Sequence, residues 1–204
     1  MTQALLSSAY FGPVQWYQKL HRYDRSFIER YDNYVKQTYR NRCVIAATGG
    51  PQTLTVPIER YEGRKCLMRD IRISDHGSWR HLHWNALVSS YGESPFFDYY
   101  ADDIRPFFER RWEFLFDFNL EITHTICSLL DIRPTIELTG EYLQAEDVCA
   151  DDFRDAIRPK HPLTDATFSP RPYYQVYAQK HGFIPNLSIL DLLFNEGPEG
   201  IFLL

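Results

Sequence analysis

The strongest constraint on how this chain folds lies between Ile104 and Leu129, where apolar residues step by three and four positions. Ile104, Phe107, Phe108, Trp112, Leu115, Phe118, Ile122, Ile126 and Leu129 form one stripe. That spacing predicts a long amphipathic helix whose stripe must be covered by another layer. Pro106 sits near its start, where a helix tolerates it. Asn119 falls on the same stripe, so its amide must find partners in the core; left unpaired it would cost ~1–3 kcal/mol.

What covers that helix is legible on both sides of it. Ala4 to Tyr10 reads as a short strand, and Gly12-Pro13 then opens a helix with proline preset for its first position. On that helix Val14, Tyr17 and His21 share one face; Gln15, Lys19 and Arg22 share another. Phe27 to Thr38 mixes β-favouring residues with charges and reads as an irregular strand. Cys43 to Ala47 and Thr53 to Ile58 form a hairpin through Thr48-Gly49-Gly50-Pro51-Gln52, with Pro57 ending the second strand or marking an edge. Met68 to Ile73 alternates like a further strand. Ser78 to Tyr91 and Phe96 to Asp103 read as helices, and Thr135 to Leu138 as a strand. Glu146 to Pro172 reads as an acidic, proline-interrupted loop with one helical turn. A last helix begins at a Ser188 cap and stops at Gly197-Pro198. Strands precede, interrupt and follow helices, which predicts an α/β layered domain with a mixed sheet and an inserted hairpin region; α+β is the alternative, because strands cluster before residue 75. At 204 residues the chain fits one domain spanning 1–204.

Composition narrows the function classes. A net charge of −5 and no basic run longer than two residues argue against nucleic-acid binding. No charged leader precedes an apolar segment, and no apolar run approaches the ~20 residues a bilayer-spanning helix requires, so membrane insertion is not expected. Cys43, Cys66, Cys127 and Cys149 are dispersed, which suits reduced thiols in a cytoplasmic protein.

The densest chemistry is Tyr39-Arg40-Asn41-Arg42: a phenol, a carboxamide and two guanidiniums ahead of the hairpin. Arginine's planar fork suits carboxylates and phosphates. Gln15 and Lys19 follow a strand-to-helix turn, a favoured ligand position in α/β sheets, where a helix N-terminus offers free N–H groups to an anion. Gln175, between Tyr174 and Tyr177, is a third polar candidate. His76, His81 and His83 lie within eight residues, but on one helix His81 and His83 would point about 200° apart, so no metal ligand set is expected. His83 would face inward, as a hydrogen-bonded residue or, if it reaches a pocket, as a general base. Asp191, three residues after its cap, reads as a carboxylate serving free helical N–H groups. No nucleophile elbow, Walker loop or dinucleotide fingerprint is present, and no cofactor is indicated.

These segments resemble the WbqC-like family nearly end to end. The opening Tyr10-Phe11-Gly12-Pro13, then Tyr17-Gln18-Lys19, is similar to that family's start, although Ser8-Ala9 stands where Gln-Pro is usual. Tyr39 to Arg42 with Leu54-Thr55-Val56-Pro57 resembles its Asn-Arg hairpin and following strand. Trp79 to His83, Ser94-Pro95-Phe96-Phe97, Leu115 to Asn119, Tyr174-Gln175 and Ser188 to Asn195 match further motifs. The resemblance implies a poorly characterised bacterial protein linked to O-antigen, a surface polysaccharide. It also implies a pocket shared by Tyr10, Lys19, Asn41 and Arg42.

Three readings follow. The first is a transferase that modifies sugar or amino-acid precursors, with Lys19 and Arg42 holding an anionic nucleotide-linked sugar or acyl donor and His83 as catalytic base. The second is a non-catalytic binding or assembly protein, a homo-oligomer included, docking through its Ile201-Phe202-Leu203-Leu204 tail. The third and weaker is a nucleotidyltransferase-like nucleotide binder, which lacks the His-x-Gly-His such a turn would carry.

Overall fold

The computed structural model describes residues 1–204. Its strands are β1 (Gln3–Ser7), β2 (Arg25–Glu29), β3 (Arg42–Ala47), β4 (Gly50–Thr55), β5 (Ile136–Leu138) and β6 (Asp151–Asp152). Its helices are α1 (Val14–Arg22), α2 (Trp79–Tyr91), α3 (Phe97–Ile104), α4 (Pro106–Glu109), α5 (Leu115–Leu129), α6 (Ala178–His181) and α7 (Ile189–Glu196).

A parallel sheet in the order β5-β2-β1-β6 forms the centre, and β3-β4 makes a separate antiparallel hairpin. Helices and strands interleave as the α/β expectation requires, with parallel and antiparallel pairing in two sheets. β1, α1 and β2 form one parallel crossover unit. Ala4 and Leu6 of β1 face the main apolar core, while Leu5 packs with Phe27 and Ala145 on the other face. A strand covered on both faces reads as a continuous apolar run, as Ala4-Leu5-Leu6 does.

The hairpin turn is tighter than its sequence suggests. Ala47 pairs with Gly50, so Thr48 and Gly49 alone form the loop, and Gly50 takes a φ of 108° that suits glycine. β4 has β3 as its only partner in this sheet, so Pro51 can sit in it without costing a central ladder a donor.

Three expectations change. Phe27 to Thr38 is strand only as far as Glu29, and turns with one isolated bridge at Asn33 follow. Met68 to Ile73 is not a strand: Met68–Asp70 is a 3-10 turn, and only isolated bridges follow at Arg72 and Ile73. Those bridges also explain why the long stripe is not one helix. Ile73 N donates to Glu113 O and Leu115 N to Ile71 O, holding residues 110–114 out of helix between α4 and α5, with Arg110 and Phe114 extended. The apolar spacing runs on through that break because Trp112 still packs on Phe107 and Phe118.

The two ends of the chain interlock. Val14 N donates to Leu187 O, Ile189 N to Gly12 O, Ser188 N to Val44 O, and the Ser188 hydroxyl to Phe11 O. α7 thereby lies against α1 and β3. Ser188 also caps α7, its hydroxyl accepting from Leu190 N. No helix is long and apolar enough to cross a membrane.

Candidate functional site

The parallel sheet winds from β1 to β2 to β5 on one side, whereas β6 returns to the opposite edge of β1. The carboxyl ends of β1 and β6 therefore flank the point where the winding reverses, where open α/β sheets bind ligands. A hollow of about 460 Å³ opens there. Gln15 enters it from the turn after β1, and Arg158, Asp165 and Phe168 from the segment after β6. Tyr39 and Val44 wall it from the hairpin side, and Asn186 from the approach to α7.

Its polar groups are tightly held. Asp165 Oδ2 accepts from Lys19 Nζ at 2.6 Å and from Gln15 Nε2 at 2.8 Å; Oδ1 accepts from Thr167 N at 3.0 Å and Thr167 Oγ1 at 2.7 Å. Burial pushes the Asp165 carboxyl upward, but those bonds outweigh it and hold it at about 2. Burial pushes Lys19 below its ordinary range against the pull of Asp165. We take the pair as ionised at neutral pH, since four donors converge on one carboxylate. Gln15 and Asn186 exchange bonds, Asn186 Nδ2 donating to Gln15 Oε1 at 3.0 Å and Asn186 Oδ1 accepting from Gln15 N. With Val14 N and Gln15 N both bonded, the first turn of α1 does not present the free donors its sequence position suggests.

Arg158 is different. Its one carboxylate partner, Asp155, lies 3.5 Å away and is exposed, and its Nε is buried with no partner. It is the cation lining the hollow with hydrogen-bonding capacity to spare. The sequence held a faint signal for it: Arg158-Pro159-Lys160-His161 is a basic interruption of an otherwise acidic segment.

Of the sequence-derived candidates, Gln15 and Tyr39 line this hollow, and Lys19 lies directly behind it, 1% exposed and occupied by Asp165. Arg42 is half-buried, makes no ion pair, and shares a β3 face with Val44 at the hollow's wall. Asn41 is buried and donates to Val56 O. Tyr10 is sealed in the aromatic core, its hydroxyl 2.8 Å from His83 Nδ1 and its ring stacked on Phe118. His83 is 5% exposed among Trp79, Phe108 and Phe118-facing rings; burial lowers it to about 4, so it is neutral at physiological pH. Tyr10, Lys19, Asn41 and Arg42 therefore do not line one cavity; Tyr10, Lys19 and Asn41 are each buried against a different internal partner. Gln175 is a strap residue: Nε2 donates to Ile184 O and Asp191 Oδ2, and Oε1 accepts from Ile184 N.

Asp191 does not serve helical N–H groups through its side chain. It is fully buried and accepts from the Tyr91 and Tyr173 hydroxyls and from Gln175. Three side-chain donors from distant segments replace the expected backbone role. No trio of His, Cys, Asp or Glu side chains is arranged to hold a metal ion.

Comparison with known proteins supplies the remaining evidence. An uncharacterised protein of Mycobacterium tuberculosis (strain ATCC 25618 / H37Rv) is 28% identical over 191 residues, covering 81% of this chain and 81% of that protein. No solved structure matches. The family model described as the WbqC-like protein family matches residues 8–157 and 163–202.

Proposed function

Since the chain belongs to the WbqC-like protein family, we propose that it is a transferase binding an anionic small molecule in the hollow at the winding reversal. The ligand class is a nucleotide-linked sugar or an acyl donor, and the setting is precursor supply for a bacterial surface polysaccharide. The observation that carries this reading is Arg158, a guanidinium with a buried, unpartnered Nε beside a hollow of about 460 Å³. An arginine so placed can donate from Nε to a phosphate or carboxylate while competing only with its long, exposed pair to Asp155. Tyr39, Val44, Leu163 and Phe168 supply apolar wall for the rest of the ligand.

Asp165, held at about 2, is too weak a base to take a proton at neutral pH. Transfer here therefore needs a donor whose leaving group departs as a stabilised anion, such as a nucleoside diphosphate, which takes up the acceptor's proton as the acceptor bonds to the transferred group, with positioning and charge neutralisation doing the catalysis. The non-catalytic alternative draws support from the same facts, because His83 and Lys19 are both engaged inside the fold.

A thermal-shift panel of nucleotide sugars and acyl-coenzyme A donors tests binding on wild type, Arg158→Ala and Arg42→Ala. Stabilisation of wild type that Arg158→Ala abolishes supports the reading; equal stabilisation of both removes Arg158 from it. Mass-spectrometric scoring of donor consumption then separates transfer from binding alone.

A further inference from the structure

Behind the hollow lies a second, smaller space of about 10 Å³, lined by Ser7, Ser8, Trp16, Tyr39, Arg40 and Ile157 among others. The two spaces stand back to back. Tyr39 lines both, and the neighbouring pairs Gln15/Trp16 and Ile157/Arg158 contribute one residue to each. The inner space is just large enough for one oxygen-sized group.

Its polar lining is unfinished. Arg40 is 7% exposed and ion-paired with Asp32; its Nη2 also donates to Ser7 Oγ at 2.8 Å, and Nη1 makes a long bond to Thr38 Oγ1. Its Nε has no partner, and one Nη1 proton is left over. A buried guanidinium with spare donors beside an oxygen-sized space is a seat for an acceptor. Because Asp32 already compensates its charge, the seat suits an uncharged oxygen rather than a second anion.

We propose that Tyr39 is the partition between an outer anion site and this inner seat, and that Arg40 receives a sugar hydroxyl when the ring moves aside. This rests on the function proposed above and narrows its ligand to a nucleotide-linked sugar, with the diphosphate at Arg158 and a hydroxyl at Arg40. An acyl donor offers no hydroxyl array at that end. Arg40 is then a specificity-determining residue, and Tyr39 sets access to it.

The test measures affinity by calorimetry for UDP, GDP, dTDP and CDP, each against its glucose conjugate. Wild type should bind one glucose conjugate about tenfold tighter than the bare diphosphate, the worth of one well-made buried hydrogen bond. The charge-neutral pair Asp32→Asn/Arg40→Met, which leaves no lone buried charge, should erase that ratio and leave diphosphate affinity within about twofold. Tyr39→Trp, which fills the partition and also alters the outer wall, should weaken the glucose conjugate more than the bare diphosphate. Equal affinity of wild type for diphosphate and conjugate, or equal weakening of both by the variants, overturns the inner seat alone. Absence of binding by every nucleotide overturns the outer site and the seat together.

Discussion

Lys19→Met is the perturbation that probes the floor of the hollow most directly. Lys19 and Asp165 are 1% and 4% exposed with a 2.6 Å contact, so removing the amine leaves a buried carboxylate without its cation. Breaking such a pair costs ~3–5 kcal/mol. Asp165 keeps its bonds from Gln15 and Thr167, which places the expected cost near the lower end, about 3 kcal/mol. For a chain of this length that lowers Tm by ~6–12 °C. Adding Asp165→Asn removes the stranded charge, so the double variant should recover about 2 kcal/mol of the loss. The acid limb gives an independent reading. Asp165 is depressed to about 2 from an ordinary value of 3.8, so its contribution is complete above the unfolded value and disappears as pH falls through the folded one. Wild type should lose ~2 kcal/mol between about pH 4 and pH 2 that Asp165→Asn does not lose. Urea unfolding at pH 7 and at steps down to pH 2 measures both effects. A cost below ~0.5 kcal/mol for Lys19→Met would mean that the pair is solvated and the argument wrong.

His83, lowered to about 4 by burial, should titrate by NMR with a midpoint near that value; stability should be full above about pH 6.5 and fall by up to ~3 kcal/mol as pH drops to 4. A midpoint above 6 would place the ring in water. Asp191→Ala removes the acceptor for Tyr91, Tyr173 and Gln175, so hydrogen exchange across residues 173–184 should quicken far more than in β1; uniform change would show that no strap is held there.

The parts of the fold readable in advance are those whose local chemistry and tertiary role agree. The Gly12-Pro13 entry to α1, the alternation of the hairpin and the Ser188 cap each state in a few residues what the packing requires. The misreadings share one cause, backbone pairing over long separations. β6 is two aspartates with no strand signature, ordered because Ala4 and Leu5 accept them in register. The break between α4 and α5 is set by Ile71 and Ile73, some forty residues earlier. The site divides likewise. Gln15 and Tyr39 were visible as polar or aromatic groups at a strand-to-helix turn and hairpin entry. That Lys19 would be consumed by Asp165, 146 positions away, and that Arg158 would be left open, depends on how the loop after β6 folds back. No periodicity encodes that path.

The clasp of residues 186–189 around Gly12, Pro13 and Val14 has a consequence during synthesis. The first crossover can collapse early, but its opening turn lacks hydrogen-bond mates until the ribosome has made nearly two hundred residues. A chain stopped before then would leave the backbone groups of that turn open to solvent.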